Sequence, residues 1–164
     1  MNVVFLDYDG VVNTPMWDGG GRRCTFNFPE DNRVNNFQCC QWVSEFCEKY
    51  GYDIVVSSTW RHERNYIECL RNGGLRSTVD VIGKTPSLPD GTRGDEIRRY
   101  LDEHPEVEYF LIFDDENDVG DLENHLILCD VNRGFGLADF YEAGQKHEEM
   151  RRRAQFTGGD PFGF

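Results

Sequence analysis

Five short apolar runs recur along the chain, and polar or turn-forming residues follow each of them. The runs are NVVFL (2–6), DIVVS (53–57), VDVIG (79–83), YFLIF (109–113) and LILCD (126–130). Apolar runs of this length without polar alternation are typical of strands buried on both faces, as in parallel sheets. The pattern therefore predicts about five buried strands.

Apolar residues recur at helical spacing between these runs. One helix is predicted over about 33–50, where Gly51 ends it, and a second over about 63–71. A third is predicted over 92–103, because Thr92 and Asp95 form a capping-box pattern at its start. A last helix is predicted after about residue 143, followed by a loose tail.

Alternating strands and helices predict an α/β fold with a doubly wound, Rossmann-like parallel sheet. We expect one domain over 1–143, with a short flap at about 13–32 that is rich in glycine, and a C-terminal helix and tail over 144–164. The connections between the predicted elements leave room for this flap and not for a large cap domain. A functional site on such a domain would be open and accessible to large substrates.

The charge and residue composition limit the kinds of molecule that the protein is expected to bind. The 164 residues carry 30 Asp plus Glu against 17 Lys plus Arg, for a net charge of −13. This balance argues against a protein that coats nucleic acid, which requires a basic face, but not against one that grips a single strand end. The six cysteines lack zinc-like spacing, and no stretch is long and apolar enough to span a membrane. We therefore expect a reduced, cytoplasmic protein away from membranes, and no stable protein partner is indicated.

Polar side chains follow three of the predicted strands. Asp7 and Asp9 close the first, Ser57 and Ser58 close the second, and DDEND (114–118) closes the fourth. Because the carboxyl ends of parallel strands meet at one edge of the sheet, these groups are expected to lie together. The combination predicts a functional site at that edge.

The acids of this set favour a divalent cation. Mg²⁺ prefers one or two carboxylates, waters and phosphate oxygens, and it offsets the repulsion between neighbouring acids. With Mg²⁺ held by Asp7, a backbone oxygen near Asp9, and Asp114, the Asp7 carboxylate can attack phosphorus while Asp9 serves as general acid and base. Ser57, the neighbouring Ser58 and backbone N–H groups are expected to bind the phosphoryl oxygens, and Arg93 can balance the remaining charge.

These motifs resemble the haloacid dehalogenase (HAD) superfamily of phosphohydrolases. The matching stretches are FLDYDGVVN, IVVSSTWR, TRGDEI and LIFDDENDV, in the superfamily's order, from residue 3 to about 139. SSTWR, GKTP, RGDEIRRYL and the GL of NRGFGLAD are similar to the branch found in Swiss Army Knife RNA-repair proteins. A more distant likeness is to the phosphatase domain of phage polynucleotide kinase/3′-phosphatases.

The resemblance implies a role for each matching residue. Asp7 would be the nucleophile, Asp9 the general acid and base, Ser57 the phosphate ligand and Asp114 a metal ligand, with Asp115 or Asp118 assisting at the metal. The basic residue of the superfamily is most often Lys; here Arg93 is favoured by its spacing, and Lys84 stays an alternative.

Further residues are predicted to contact the substrate. Asn13, Trp60 and Arg61 lie beside the motifs, and Arg22 lies in the flap among aromatic residues that can stack on bases.

The sequence thus favours a Mg²⁺-dependent phosphomonoesterase acting through an aspartyl-phosphate on phosphorylated RNA or DNA ends or nucleotides. One alternative is a non-catalytic module that binds phosphorylated ends. The other is a phosphatase for small-molecule or protein phosphoesters.

Overall fold

The protein is described here by a computed structural model, which covers residues 1–15 and 26–157. Its centre is a parallel five-stranded sheet in the order β3-β2-β1-β4-β5. The strands are β1 (Asn2–Leu6), β2 (Asp53–Val56), β3 (Val81–Lys84), β4 (Tyr109–Asp114) and β5 (Leu126–Leu128). The helices are α1 (Phe37–Tyr50), α2 (Tyr66–Gly73), α3 (Arg93–Glu103) and α4 (Leu137–Thr157), and the described residues add short 3₁₀ helices at Pro29–Asp31, Thr59–His62 and Gly120–His125. The predicted α/β class and the parallel sheet are confirmed, and no large cap is present in residues 1–15 and 26–157.

The sheet is buried on both faces, which explains why its strands lack polar alternation. On one face Val4 and Leu6 of β1 join the core that includes α1, α2 and α4. On the other face Val3 and Phe5 pack with Ile97 of α3. Since side chains alternate along a strand, the position after Leu6 turns toward the α3 face.

Helix α1 begins at Phe37, four residues later than predicted. Asn36 caps it, because its side chain accepts a hydrogen bond from Cys39 N at 3.1 Å. Asn35 and Asn36 also donate side-chain hydrogen bonds to Thr14, which ties this segment to the loop after β1. The residues before Phe37 therefore serve as a connection rather than as helix.

Helix α4 begins earlier than predicted, at Leu137. The start signal is Asp139, whose carboxylate accepts a hydrogen bond from Gly136 N at 2.9 Å. The first turns bury Phe140 and Ala143 in the core shared with α1, so residues 137–143 belong to the helix that was expected only after them. The division of the chain at residue 143 stays a prediction, although the helix runs across it.

Smaller shifts occur at α2 and β3, which begin three and two residues after their predicted starts at 63 and 79. Before α2, residues Thr59–His62 form a 3₁₀ helix instead, capped by the Ser58 side chain. None of the helices in the described parts of the chain has the length and apolar character needed to cross a membrane.

Candidate active site

The carboxyl ends of three neighbouring strands place polar residues side by side. Asp7 N donates to Phe113 O at 3.0 Å, and Ser57 N donates to Leu6 O at 2.9 Å. These two hydrogen bonds continue the parallel ladders beyond β1 and β2, so Ser57, Asp7 and Asp114 fall in one row across the sheet. The row faces α3.

Three carboxylates, which we call the carboxylate group, converge at this row: two belong to it, and the third follows Asp114 in the chain. Asp7, Asp114 and Asp115 each offer an oxygen, and these oxygens lie within 4.8 Å of one another. Asp114 is 1% exposed, and its Oδ2 atom has no hydrogen-bond partner. A buried carboxylate oxygen that accepts no hydrogen bond and lies next to two further carboxylates fits a hard divalent cation, which prefers oxygen ligands.

Gly10 lets the third carboxylate approach. Its φ is +78°, which favours glycine, and a Cβ built on it would lie 2.5 Å from the Asp115 carboxyl carbon. The glycine therefore permits both the turn after β1 and the close contact with Asp115.

Burial and nearby negative charge raise the pKa values of Asp7 and Asp114. Burial raises the pKa of Asp7 well above its usual value, and the charge of Asp114 raises it further, whereas Arg93 opposes the shift. Burial likewise raises the pKa of Asp114 to about 6, again against the effect of Arg93. A bound cation would favour the ionised forms of both groups.

Arg93, the first residue of α3, lies against both acids. Its Nη1 atom is 3.7 Å from Asp7 Oδ1 and 3.5 Å from Asp114 Oδ2, and it also donates to the Ser57 carbonyl. Gly94, the second residue of the helix, lets α3 pack closely against the segment after β4, because a Cβ on Gly94 would lie 2.5 Å from Val119 O. Lys84, the alternative, instead donates to Arg61 O at 3.0 Å and lies over the Tyr66 ring. Of the two candidate cations, Arg93 is the one in contact with the carboxylates.

The two serines after β2 differ in their surroundings. Ser57 is fully buried, and its Oγ atom has no hydrogen-bond partner, so the hydroxyl can still bind a ligand. The Ser58 hydroxyl accepts from Trp60 N at 3.2 Å and caps the following 3₁₀ helix. The Ser58 side chain thus serves as a helix cap, and its role in phosphate binding stays a prediction.

The Asp9 carboxylate accepts hydrogen bonds from two neighbouring side chains. Asn13 Nδ2 donates to Asp9 Oδ1 at 2.7 Å, and the Trp60 side chain forms a second hydrogen bond to this carboxylate. Burial raises the pKa of Asp9, whereas these two hydrogen bonds lower it. Among the described residues, the Asp9 side chain is therefore not a member of the carboxylate group that could bind a metal. Its environment suits a group that donates and accepts a proton.

Three predicted substrate contacts are buried and engaged within the protein. Asn13 also donates to Asn27 O in the flap at 2.9 Å, and Trp60 packs against Tyr8 with ring centroids 5.4 Å apart. Arg61 is 4% exposed and forms an ion pair with Glu96 at 2.9 Å. In these contacts the three residues orient their neighbours, and the Asn13 amide joins the flap; that any of them touches substrate stays a prediction.

Two further predicted residues stand apart from the site. Asp118 is exposed and lies outside the carboxylate group of the described residues, and its assistance at a metal stays a prediction. Its carbonyl instead accepts a hydrogen bond from Gly94 N at 3.1 Å. Arg22 lies outside the described residues.

Glu96 was not anticipated from the sequence. It lies on the buried side of α3 with Ile97 and Tyr100, three residues after Arg93. Helical spacing alone places Arg93, Glu96, Ile97 and Tyr100 on one face. A charged residue on this otherwise apolar helix face could have indicated that Glu96 is buried and paired with a cation.

A scan against protein-family models identifies the chain's relatives. Residues 3–140 match the model described as the HAD domain in Swiss Army Knife RNA repair proteins. The protein therefore belongs to this family, which supports a phosphatase-type function in an RNA-repair context. Neither the curated proteins nor the solved structures give a match.

Proposed function

We propose that this member of the HAD family is a Mg²⁺-dependent phosphomonoesterase that removes terminal phosphates from nucleic acid ends or nucleotides. The observation that carries the proposal is the carboxylate group of Asp7, Asp114 and Asp115, with oxygens within 4.8 Å of one another and Arg93 beside two of them. Carboxylates so placed can bind a divalent cation, and a phosphoryl group requires positive charge at its binding site.

Asp7 is the proposed nucleophile. Its carboxylate oxygen forms a bond to phosphorus, the bond between phosphorus and the ester oxygen breaks, and an aspartyl-phosphate results. Mg²⁺, when bound by Asp7, Asp114 and Asp115, supplies charge neutralisation for the phosphoryl oxygens. Arg93 and the unpartnered hydroxyl of Ser57 bind the same oxygens from the protein side.

Asp9 is the proposed proton carrier. It donates its proton to the departing ester oxygen and then takes a proton from the water that attacks the aspartyl-phosphate. That attack breaks the bond between Asp7 and phosphorus, releases inorganic phosphate and regenerates both acids. The partly buried setting of Asp9, which raises its pKa, supports the first of these roles.

The preference for nucleic acid ends or nucleotides rests on the family and on access. The family is defined on RNA-repair proteins, and no cap domain covers the site in the described parts of the chain. Phe28 of the flap is 58% exposed, so its ring is available to stack on a base. The net charge of −13 favours contact with one strand end over a long stretch of duplex.

The test is a phosphate-release assay on a substrate panel. The panel contains p-nitrophenyl phosphate, nucleoside monophosphates, 3′- and 5′-phosphorylated oligonucleotides and a phosphopeptide, each with Mg²⁺ and with EDTA. We expect turnover that EDTA abolishes and that falls by on the order of 10³ or more in Asp7→Asn, because this substitution removes the nucleophile.

Asp114→Leu is a useful companion, since it removes a metal ligand and leaves the nucleophile in place. Full turnover by Asp7→Asn would overturn the aspartyl-phosphate mechanism. Tight binding of phosphorylated ends without any turnover would instead identify a binding module, and preference for the phosphopeptide would overturn the substrate class.

A further inference from the structure

Arg61 is a buried guanidinium whose N–H groups are all engaged. An arginine side chain has five N–H donors. Here Nε donates one hydrogen bond, and Nη1 and Nη2 donate two each, so none is left for a substrate. The acceptors are Thr85 O (3.2 Å), Ser57 O (3.2 Å), Ser58 O (2.9 Å), Pro86 O (3.5 Å) and Glu96 Oε2 (2.9 Å).

These acceptors come from three separate segments of the chain. Ser57 and Ser58 follow β2, residues 85–86 follow β3, and Glu96 belongs to α3. Glu96 extends the connection, because its other oxygen accepts from Leu88 N at 3.2 Å. One side chain therefore joins the ends of two strands to the helix that carries Arg93.

Arg61 and Arg93 also share an acceptor. Both donate to the carbonyl oxygen of Ser57, and Arg93 lies between Asp7 and Asp114. Glu96 is three residues after Arg93 on the same helix, so the ion pair from Arg61 acts one turn away from the cation at the carboxylates.

The ion pair between Arg61 and Glu96 is not explained by its contribution to stability. Burying two charges costs desolvation free energy, and replacing a buried ion pair with apolar side chains is often neutral or stabilising. A network that spans three segments beside the proposed site instead suits positioning.

We propose that Arg61, through Glu96 and the Ser57 carbonyl, is a positioning residue that sets where Arg93 and Ser57 meet the phosphoryl group. This inference rests on the proposed function and deepens it. Arg61 itself does not touch the substrate.

The test compares Arg61→Lys with the wild-type protein. Lysine keeps the charge but has three donors at one point, so it cannot span five acceptors on three segments. Since a displacement of about 1 Å can lower a rate about 100-fold, we expect kcat to fall at least about tenfold. The loss should be equal for p-nitrophenyl phosphate and a phosphorylated oligonucleotide, because the phosphoryl-binding groups are affected and not the recognition of the rest of the substrate.

Arg99→Lys is the matched control. Arg99 lies on the same helix and pairs with Glu103 at 2.8 Å, but both side chains are exposed. We expect no change in kcat or KM. Glu96→Gln keeps the shape of the carboxylate and provides a second variant should Arg61→Lys fail to fold; its kcat is expected to fall in the same way.

A double-mutant cycle separates positioning from a general loss of structure. If Arg61 acts through Arg93, Arg61→Lys should lower kcat far less in an Arg93→Lys background than in the wild type. Equal losses in both backgrounds would overturn the proposal, and so would wild-type kcat in folded Arg61→Lys.

A loss confined to the oligonucleotide would show that Arg61 contacts substrate, which also overturns the proposal. These results are distinct from failure of the proposed function, since in that case the wild-type protein itself would release no phosphate.

Discussion

At the amino ends of the strands, the Tyr52 hydroxyl and His147 Nδ1 lie 2.9 Å apart inside the protein, and the ring of Tyr109 packs against His147. At the carboxyl ends, the Ser57 hydroxyl and one Asp114 oxygen are equally buried but have no hydrogen-bond partner. Folding ordinarily pairs buried polar groups because an unpaired one costs about 1–3 kcal/mol. The first region thus behaves as core, whereas the second carries a cost that a ligand can offset.

The largest effect that we expect from a substitution is a loss of turnover, caused by a change at the carboxyl ends of the strands. Arg93→Ala removes the cation that contacts Asp7 and Asp114, so we expect kcat/KM for p-nitrophenyl phosphate to fall by about 100-fold or more. Lys84→Ala is the matched variant, and its loss should stay within about threefold, because Lys84 contacts a backbone carbonyl and an aromatic ring.

The ranking of these two cations is directly open to contradiction. Loss of turnover in Lys84→Ala together with normal turnover in Arg93→Ala would reverse the assignment. Mg²⁺ binding, followed by isothermal titration, should persist in both variants, since neither removes a carboxylate.

The next effect is on the pH dependence of stability without metal. The pKa of Asp114 is raised by burial from 3.8 to about 6, so between these values the folded state binds more protons than the unfolded state. The free energy of unfolding is therefore expected to fall as pH rises from about 4 to about 6, by up to about 3 kcal/mol from this group. Urea unfolding in EDTA across this range measures the slope.

Two comparisons sharpen that measurement. Asp114→Asn should be less dependent on pH and more stable than the wild type at pH 7.5, because it removes the buried charge. Mg²⁺ should raise the stability of the wild type above pH 6 and have little effect on the variant. A metal-free wild type whose stability rises between pH 4 and 6 more steeply than that of Asp114→Asn would contradict the assignment.

The smallest effects concern two hydroxyl groups. Tyr52→Phe leaves His147 Nδ1 without its partner, and we expect it to lose about 1–2 kcal/mol of stability at unchanged kcat. Ser57→Ala removes an unpartnered hydroxyl, so its stability should be unchanged or higher while kcat/KM falls about tenfold. Thermal unfolding and phosphate-release assays on both variants measure these effects. A Ser57→Ala protein less stable than Tyr52→Phe would contradict the expected difference between the two regions.

The sheet and its polar edge could be predicted because they rest on local patterns. The apolar runs have the length of buried strands, and parallel order brings residues 7, 57 and 114 to one edge whatever the details of the loops. The spacing of Arg93 from Asp114 was also informative, since one helix and one loop separate them.

Other features depend on tertiary contacts that leave little trace in the sequence. An arginine just after a phosphate-binding motif looks the same whether it faces substrate or, like Arg61, turns inward to Glu96 35 positions away. Similarly, Trp60 and Asn13 were placed near the site by sequence, but their contacts with Asp9 depend on how the loop after β2 folds over the turn after β1. The early start of α4 was hidden because Asp139 caps it from inside the helix.

Gly10 contributes to the carboxylate group through the side chain that it lacks. Any larger residue at this position would collide with Asp115 and would also strain a backbone that bends with positive φ. The third oxygen of the cluster is thus positioned partly by a residue that offers no ligand atom and no charge. A change as small as a single methyl group at this turn would disturb the carboxylate group without altering any of the acids that form it.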